Sequence, residues 1–238
     1  MSEIQNFAGK GKRVLFFGRA KCTATEELLS KFMQCGFDIT FVKSRQRGEK
    51  LLEDILCWEG EYIICFRSLY VLPKALLDKA KIAAINFHPA PPEYPGSGCI
   101  NFALYDEAED YGVTAHIMNE LVDNGAILEV RRFPIRPYDN LSTMLGRTHS
   151  ELSNLCSDFI SGIYSFDAKF IENKLKISEN ENWHGKARLL KELDELQKVN
   201  LNISEDELKR VVRATYIEGY PPIIELHGFK FRLEIEGR

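Results

Sequence analysis

Three residues of the 238-residue chain have the types and the setting that acid–base chemistry needs. Asn86 and His88 stand two positions apart in INFHPAPPEYPGSG, and Asp123 lies in LVDNGAIL. If the residues up to His88 form a strand, the two side chains point to the same side, because side chains alternate along a strand. Histidine titrates near neutral pH and a carboxylate can orient it. The three residues therefore predict a catalytic cluster.

The segment that follows His88 is stiff, because it holds four of the chain's nine prolines within seven positions. Pro89 biases the residue before it toward an extended backbone, and the later prolines restrict the loop further. The alternative is that each residue is ordinary, since Asp123 before Asn124-Gly125 is a common turn residue. His116, in YGVTAHIM, is predicted to be structural rather than catalytic. The remaining histidines have no chemical neighbours in the sequence: His149, His184 and His227.

The segments around this loop alternate as they do in α/β proteins. RVLFFG is predicted to be the first strand, and DITFVK, EYIICF and KIAAINF are further apolar runs, separated by amphipathic segments. Thr23 and Glu26 predict a capping box, with Leu28, Leu29, Phe32 and Met33 on one face of the first helix. YGVTAHIM and AILEVRRFPI predict two more strands before a long helix from about Asn140 to Ser165. We expect a Rossmann-like, doubly wound and mostly parallel sheet.

The composition changes from about Lys174. KLKISENENWHGK is polar and is predicted to be a linker, and two amphipathic helices follow, in KARLLKELDELQK and, capped by Ser204 and Glu207, in SEDELKRVVRATYI. PPIIELHGFKFRLEI predicts a β-hairpin around His227-Gly228. We expect a catalytic domain over residues 1–176 and a small helix and β-hairpin subdomain over residues 177–238. An isolated hairpin is marginal in water, so its apolar face predicts a homodimer.

Charge and composition argue against several classes of partner. The net charge of −4 and pI of about 5.8 give no general attraction to nucleic acid or to an anionic membrane. No apolar run approaches the ~20 residues of a membrane span, and the start, MSEIQNFAGKGKR, lacks the apolar core of a signal peptide. The six cysteines form no C-x-x-C pair, which favours free thiols and no metal site. We expect a cytoplasmic protein.

The first strand-to-helix turn, GRAKCTATE, contains one glycine. The dinucleotide fingerprint G-x-G-x-x-G and the P-loop are therefore both missing. A doubly wound sheet still binds ligands beyond the carboxyl ends of its strands, which is where the sequence places Asn86 and His88.

Four motifs in order resemble the signature of the folate-dependent formyltransferases. They are Asn-x-His-Pro before a proline-rich loop, a glycine-containing turn, Gly-Val-Thr on the next strand and Asp-x-Gly after it. FRSLYVLPKALLDKA resembles the family's folate-pocket segment, and the likeness spans roughly residues 13–135. It implies direct transfer of the formyl group of 10-formyltetrahydrofolate to an amine, without a metal.

The resemblance also implies roles for single residues. Asn86 would donate a hydrogen bond to the developing oxyanion, His88 would act as acid or base, and Asp123 would orient the imidazole. Thr114, in the Gly-Val-Thr element, would support them. The residues implied for the folate are Phe66, Arg67, Leu69, Val122 and Asp123.

The loop PAPPEYPGSGCINFALYDEA and the ending RATYIEGYPPIIELHGFKF resemble the nucleotide-sugar N-formyltransferases of surface polysaccharide (lipopolysaccharide, O-antigen) synthesis. A dTDP-linked amino-dideoxysugar is then the expected acceptor, and GDP- and UDP-linked sugars are open alternatives. The residues expected to bind it are Arg19, Lys21, Tyr94, Tyr216 and Tyr220. The family's tRNA enzymes carry a longer, basic C-terminal domain, whereas about 60 residues follow Lys174 here. Alternatives are a glycinamide ribonucleotide formyltransferase, a formyl-folate hydrolase or a non-catalytic folate- or nucleotide-binding protein.

Overall fold

A seven-stranded mixed sheet organises the chain in a computed structural model that describes residues 3–235. The outer ends of the two predicted domains, residues 1–2 and 236–238, lie outside the described residues. The strand order is β1-β3-β2-β4-β5-β6-β7, in which β2, β3, β4 and β5 run parallel and β1, β6 and β7 pair antiparallel with their neighbours. The strands are β1 (Glu3–Phe7), β2 (Arg13–Arg19), β3 (Asp38–Ser44), β4 (Gly60–Phe66), β5 (Ala80–His88), β6 (Asp110–Ile117) and β7 (Ile127–Pro134).

Helices follow the strands, and a small hairpin ends the described chain. The long helix α5 has a capping box between Asn140 and Thr143, which confirms its predicted start. The helices are α1 (Thr23–Gln34), α2 (Glu53–Leu56), α3 (Lys74–Leu77), α4 (Cys99–Tyr105), α5 (Leu141–Phe166), α6 (Ala168–Ile177), α7 (Leu190–Leu196) and α8 (Glu205–Thr215). The hairpin is β8 (Ile223–Leu226) and β9 (Phe229–Arg232).

The sheet is buried on both faces, as its continuous apolar strands predict. On one face, Phe16 of β2 packs against Phe32 of α1 with ring centroids 5.2 Å apart, in a core that includes the buried side of α5. On the other face, Phe17 belongs to a core with Ile55 of α2 and Leu76 of α3. The predicted α/β, doubly wound and mostly parallel architecture is confirmed.

Some local predictions were wrong. RVLFFG is the second strand rather than the first, because EIQNF forms β1 and pairs antiparallel with β3. The capping box at Thr23 and Glu26 is absent: Cys22 is the N-cap and makes no side-chain cap bond, since Thr23 already lies in the helix. Met33 is exposed rather than buried. The predicted linker begins too early, because α6 continues to Ile177.

The segment between α6 and α7 returns to the proline-rich loop. The N–H of Ser97 donates to the carbonyl of Arg188 at 2.9 Å, and the N–H of Arg188 donates to the carbonyl of Pro95 at 3.0 Å. Further on, Asn101 of α4 donates to the carbonyl of Ala214 of α8 at 2.8 Å. These contacts tie the C-terminal quarter to the loop after β5, and the division into two domains stays a prediction.

The described residues also bear on the partner predictions. No helix within residues 3–235 is long and apolar enough to cross a membrane. The six cysteines, all in that range, are free thiols. Within the same range no three His, Cys, Asp or Glu side chains cluster as metal ligands would.

The C-terminal hairpin generates a prediction about assembly. Cross-strand pairs Ile224–Phe231 and Leu226–Phe229 place four apolar side chains on one face, and Phe229 and Phe231 are 72% and 54% exposed. We expect a homodimer that buries this face. Replacing Phe229 and Phe231 together by serine should then lower the molar mass measured by light scattering at micromolar concentration.

Lys230→Ser is the matched control, because Lys230 pairs with Glu225 on the opposite face of the hairpin. That variant should keep the mass of the unaltered protein. A monomeric unaltered protein would contradict the dimer.

Candidate active site

The end of β5 carries the first two predicted residues. Asn86 pairs with His116 and His88 pairs with Thr114, both on the antiparallel neighbour β6. Asp123 lies in the turn between β6 and β7, with φ of +46°. Left-handed backbone is uncommon for a residue with a side chain and persists where surrounding contacts hold it. The structure thus brings Asn86, His88 and Asp123 to one edge of the sheet.

The Asp123 carboxylate is the centre of this cluster. Its Oδ2 lies 3.3 Å from Nδ1 of His88 and accepts the N–H of Gly96 at 2.9 Å. Nε2 of His88 lies 3.1 Å from the carbonyl oxygen of Tyr94. Both ring nitrogens of His88 therefore face oxygen atoms that accept hydrogen bonds.

Asp123 is buried and nevertheless ionised. Burial alone would raise the pKa of its carboxyl, but the imidazole of His88 and the N–H of Gly96 help to hold that pKa at about 2. The carboxylate is thus negatively charged at neutral pH and can orient the ring of His88.

His116 is a member of this cluster that the sequence reasoning placed outside it. Its Nε2 lies 3.0 Å from Nδ2 of Asn86 and 3.5 Å from Oδ1 of Asp123, and its Nδ1 lies 2.9 Å from the carbonyl oxygen of Ile117. A strand beside β5 must place some side chain opposite Asn86, but the sequence does not say which one. The register that selects His116 depends on how β6 pairs.

Trp183 also belongs to the site, although it lies in the predicted polar linker. Its Nε1–H donates to the carbonyl of Gly125 at 2.7 Å. Its ring meets His116 and His88 edge-on, with centroids 5.0 and 5.8 Å apart. A Cβ at Gly125 would lie 1.8 Å from the carbonyl oxygen of Ile117, so only glycine fits this turn. Trp183 therefore covers both histidines and holds the turn that carries Asp123.

Side chains of β6 hold the proline-rich loop through hydrogen bonds to its backbone. The hydroxyl of Thr114 donates to the carbonyl of Ala90 at 2.7 Å, and that of Tyr111 donates to the carbonyl of Pro89 at 2.8 Å. Cys99 stands at the other end of the loop, with Sγ 3.8 Å from Nε2 of His88. Burial, and then the charge of Asp123, raises the pKa of the Cys99 thiol to about 12, so it stays neutral.

A cleft of about 460 Å³ opens over the cluster, within the range of small-molecule sites. Of the residues expected to bind folate, Arg67, Leu69, Val122 and Asp123 line it, whereas the side chain of Phe66 is in the core. The N–H of Leu69 already donates to the hydroxyl of Ser44 at 2.9 Å. Val122, together with Leu121 and Val71, is an exposed apolar residue at the rim.

Basic side chains gather at the end of the cleft next to α1. Arg19 and Arg67 line both the cleft and a second cavity of about 590 Å³, which Lys21 also lines. Nη1 of Arg67 donates to Sγ of Cys22 at 3.4 Å. His149 of α5 lies in the cleft beside them, and burial, followed by the charges of Arg67 and Arg19, lowers its pKa to about 4.

The predicted tyrosines are placed differently. The ring of Tyr94 packs against Tyr111 with centroids 6.1 Å apart, while its backbone carbonyl faces His88. Tyr216 directly follows α8 as its C-cap, and Tyr220 is 75% exposed in the loop after it. Among residues 3–235, none of these three tyrosines lines the cleft over Asp123.

The depressed pKa of Asp123 generates a prediction about stability. The folded pKa lies below the unfolded value of about 3.9, so the ionised carboxyl stabilises the fold above pH 4. The stabilisation is lost as the pH falls toward 2 and amounts to about 2 kcal/mol. The difference in unfolding free energy between the unaltered protein and Asp123→Asn, measured in urea, should shrink by this amount between pH 5 and pH 2.

Asp54→Asn provides the control, since Asp54 is exposed on the short surface helix α2. A pH-independent difference for Asp123→Asn would show that the carboxyl titrates normally.

The geometry can be set beside known proteins. A model of the formyl transferase family matches residues 12–160. The methionyl-tRNA formyltransferase of Listeria innocua is 27% identical over 184 residues, which cover 73% of this chain and 59% of the relative. The chain thus spans about three fifths of that relative's length.

Solved structures share the fold along most of the chain. A sugar N-formyltransferase from Shewanella has a TM-score of 0.68 at 18% identity, covering 95% of this chain and 98% of the other. An N-formyltransferase from Helicobacter canadensis, in complex with folinic acid and dTDP-3-aminofucose, has a TM-score of 0.64 at 15% identity, covering 91% and 84%. Since the family model covers more than half of the 238 residues, including β2 to β7 and most of α5, the chain belongs to the formyl transferase family.

Proposed function

We propose that this chain transfers the formyl group of 10-formyltetrahydrofolate to an amine. The observation that carries the proposal is the convergence of Asn86, His88 and Asp123 at the floor of the cleft, in a member of the formyl transferase family. The cluster combines an amide donor, an imidazole and an ionised carboxylate, which are the groups that acyl transfer to an amine requires.

The chemistry needs charge stabilisation and one proton transfer. 10-Formyltetrahydrofolate supplies the electrophilic formyl carbon, and as the amine attacks it, negative charge develops on the formyl oxygen. An N–H of Asn86 donates to that oxygen, and the imidazole of His88 acts as the acid or base in the proton transfer. The bond between the formyl carbon and N10 breaks, and the proton that the amine loses ends on N10. Asp123 orients the imidazole of His88.

The folate is proposed to lie along residues 66–72 and the turn 119–123. The exposed apolar side chains of Leu121, Val122 and Val71 offer a flat aromatic ring a dry surface at the rim of the cleft. Because the N–H of Leu69 is engaged by Ser44, its carbonyl is the group of that residue left to pair with the ring. The backbone of Val122 pairs with the pterin from the other side.

The acceptor is proposed to be a nucleotide-linked amino sugar, and a dTDP-linked sugar is the first candidate. Two observations support this: the fold likeness to sugar N-formyltransferases covers most of both chains, and the Helicobacter canadensis relative holds dTDP-3-aminofucose. Arg19, Lys21 and Arg67 lie before the N-terminus of α1, where the cleft and the second cavity meet. Helix N-termini and guanidinium groups both favour a diphosphate. Tyr216 and Tyr220 stay candidates for stacking on the base.

Methionyl-tRNA is the second candidate acceptor, because the Listeria innocua relative is named for it. The net charge of −4 disfavours tRNA, since phosphate backbones are bound by basic surfaces. Incubation of the protein with 10-formyltetrahydrofolate and, in turn, a dTDP-amino sugar, methionyl-tRNA, glycinamide ribonucleotide or no acceptor separates the alternatives. Formylation of the amino sugar supports the proposal, and release of formate without an acceptor indicates a hydrolase.

The cluster generates a prediction about turnover. His88→Ala and Asp123→Ala should each lower kcat at least a hundredfold while folate still binds, since acid–base assistance is worth about 10²–10⁴. Asn86→Ala should lower kcat by a similar factor, because the loss of one oxyanion donor lowers kcat about 10²–10³-fold. Steady-state assays give kcat, and calorimetry gives folate binding.

His227→Asn serves as the matched control, because His227 lies in the hairpin turn and has φ of +50°, which asparagine tolerates. It should leave kcat unchanged. Retention of more than about a tenth of the activity in both His88→Ala and Asp123→Ala would remove the cluster from the mechanism.

The basic side chains generate a prediction about substrate affinity. Arg19→Ala and Lys21→Ala should raise the KM for the sugar nucleotide about tenfold and leave the KM for folate unchanged, because a hydrogen bond to a charged group is worth about 1.5–3 kcal/mol. The measurement compares dTDP-4-amino-4,6-dideoxyglucose with its GDP and UDP counterparts. Tyr220→Ala, assayed alongside, tests whether the base reaches the C-terminal segment.

Lys169→Ala is the control, since Lys169 is an exposed lysine on α6 that lines neither cavity. An equal rise in the KM values for the sugar nucleotide and for folate would indicate that Arg19 and Lys21 support the fold of the site instead of binding the sugar nucleotide.

A further inference from the structure

His116 is held on every side. Its ring is 2% exposed, its Nδ1 lies 2.9 Å from the carbonyl oxygen of Ile117, and the Trp183 ring packs edge-on against it. Its Nε2 faces Nδ2 of Asn86 at 3.0 Å and Oδ1 of Asp123 at 3.5 Å. The ring therefore has one orientation, and its protonation follows from its partners.

A carbonyl oxygen can only accept, so the close contact with Ile117 requires a proton on Nδ1 of His116. In the neutral ring Nε2 is then an acceptor, and the amide N–H of Asn86 is the donor at hydrogen-bonding distance. The opposite arrangement would turn the amide oxygen of Asn86 toward His116. Nε2 would then have to carry a second proton, with the Asp123 carboxylate 3.5 Å away as its counter-charge.

The orientation of this amide decides what Asn86 offers to a ligand. A planar amide has two N–H groups that diverge by a fixed angle, so commitment of one to His116 sets the direction of the other. Asn86 lines the cleft, where the second N–H is available. With the amide reversed, both N–H groups would point away from His116, and this hydrogen bond would no longer fix their directions.

We infer that His116 is a positioning residue, whose neutral imidazole accepts a hydrogen bond from Asn86 and thereby aims the other N–H of that amide at the formyl oxygen. The inference rests on the proposed formyl transfer for its catalytic consequence. The hydrogen-bonding arrangement itself does not depend on it.

Two substitutions at His116 test the Nδ1 bond and the Nε2 bond of its ring separately. Asn at position 116 can reproduce the Nδ1 bond to Ile117 but cannot reach Asn86, whereas Gln can place an acceptor near the position of Nε2. His116→Asn should lower kcat at least about tenfold, as expected for a mispositioned oxyanion donor, with the KM for folate unchanged. His116→Gln should keep kcat within about twofold. A purely structural role through Ile117 predicts the reverse order, and that order would overturn the inference.

A double-mutant cycle tests whether His116 acts through Asn86. In the Asn86→Ala background, His116→Asn should cost no further activity beyond about twofold, because the side chain that it positions is gone. The full loss in that background would overturn the inference. The midpoint of thermal unfolding is measured for all four proteins of the cycle. Similar midpoints with and without the substitution at His116 ensure that the comparison is between folded enzymes.

Two-bond ¹H–¹⁵N correlation spectra of the unaltered protein give the tautomer directly and need no activity. At pH 7 the ring that is missing from the His116→Gln spectrum should carry its proton on Nδ1 alone. A proton on Nε2, or on both nitrogens, would overturn the inference. If the spectra agree but no acceptor is formylated, the proposed function fails and the hydrogen-bonding arrangement stands.

Discussion

The buried carboxylate of Asp123 is the constraint on which the rest of the site depends. A charge removed from water must be compensated by partners in fixed positions. Here the partners come from two segments, His88 at the end of β5 and Gly96 in the proline-rich loop, with His116 of β6 nearby. The left-handed backbone at Asp123 is retained because these contacts hold it.

The change from parallel to antiparallel pairing beside β5 makes this arrangement possible. β2 to β5 present their carboxyl ends at one edge, as in other doubly wound sheets. β6 then runs back along β5, so that His116 stands opposite Asn86 and Thr114 opposite His88. One strand supplies Asn86 and His88, and its antiparallel neighbour supplies the side chains opposite them.

Charge is divided along the cleft. Asp123 lies at one end of the cleft, whereas Arg19 and Arg67 lie at the end next to α1. The low pKa of His149 follows from burial and from these two cations, so an anion bound there would favour its protonated form. A chain with a net charge of −4 can therefore still offer a local site for an anionic substrate.

The sequence by itself determined most of the elements and predicted that Asn86, His88 and Asp123 form a cluster. Apolar runs and turn residues specify β2 to β7, the Asn140 cap specifies the start of α5, and Pro89 after Asn-x-His specifies a stiff exit from β5. These are local properties, fixed by neighbours in the chain. Only the tertiary structure decided the roles of His116 and Trp183, because strand register selects the first and a loop returning over 58 residues from Gly125 delivers the second. Contacts across such separations leave no pattern in a single sequence, since they depend on how finished elements pack.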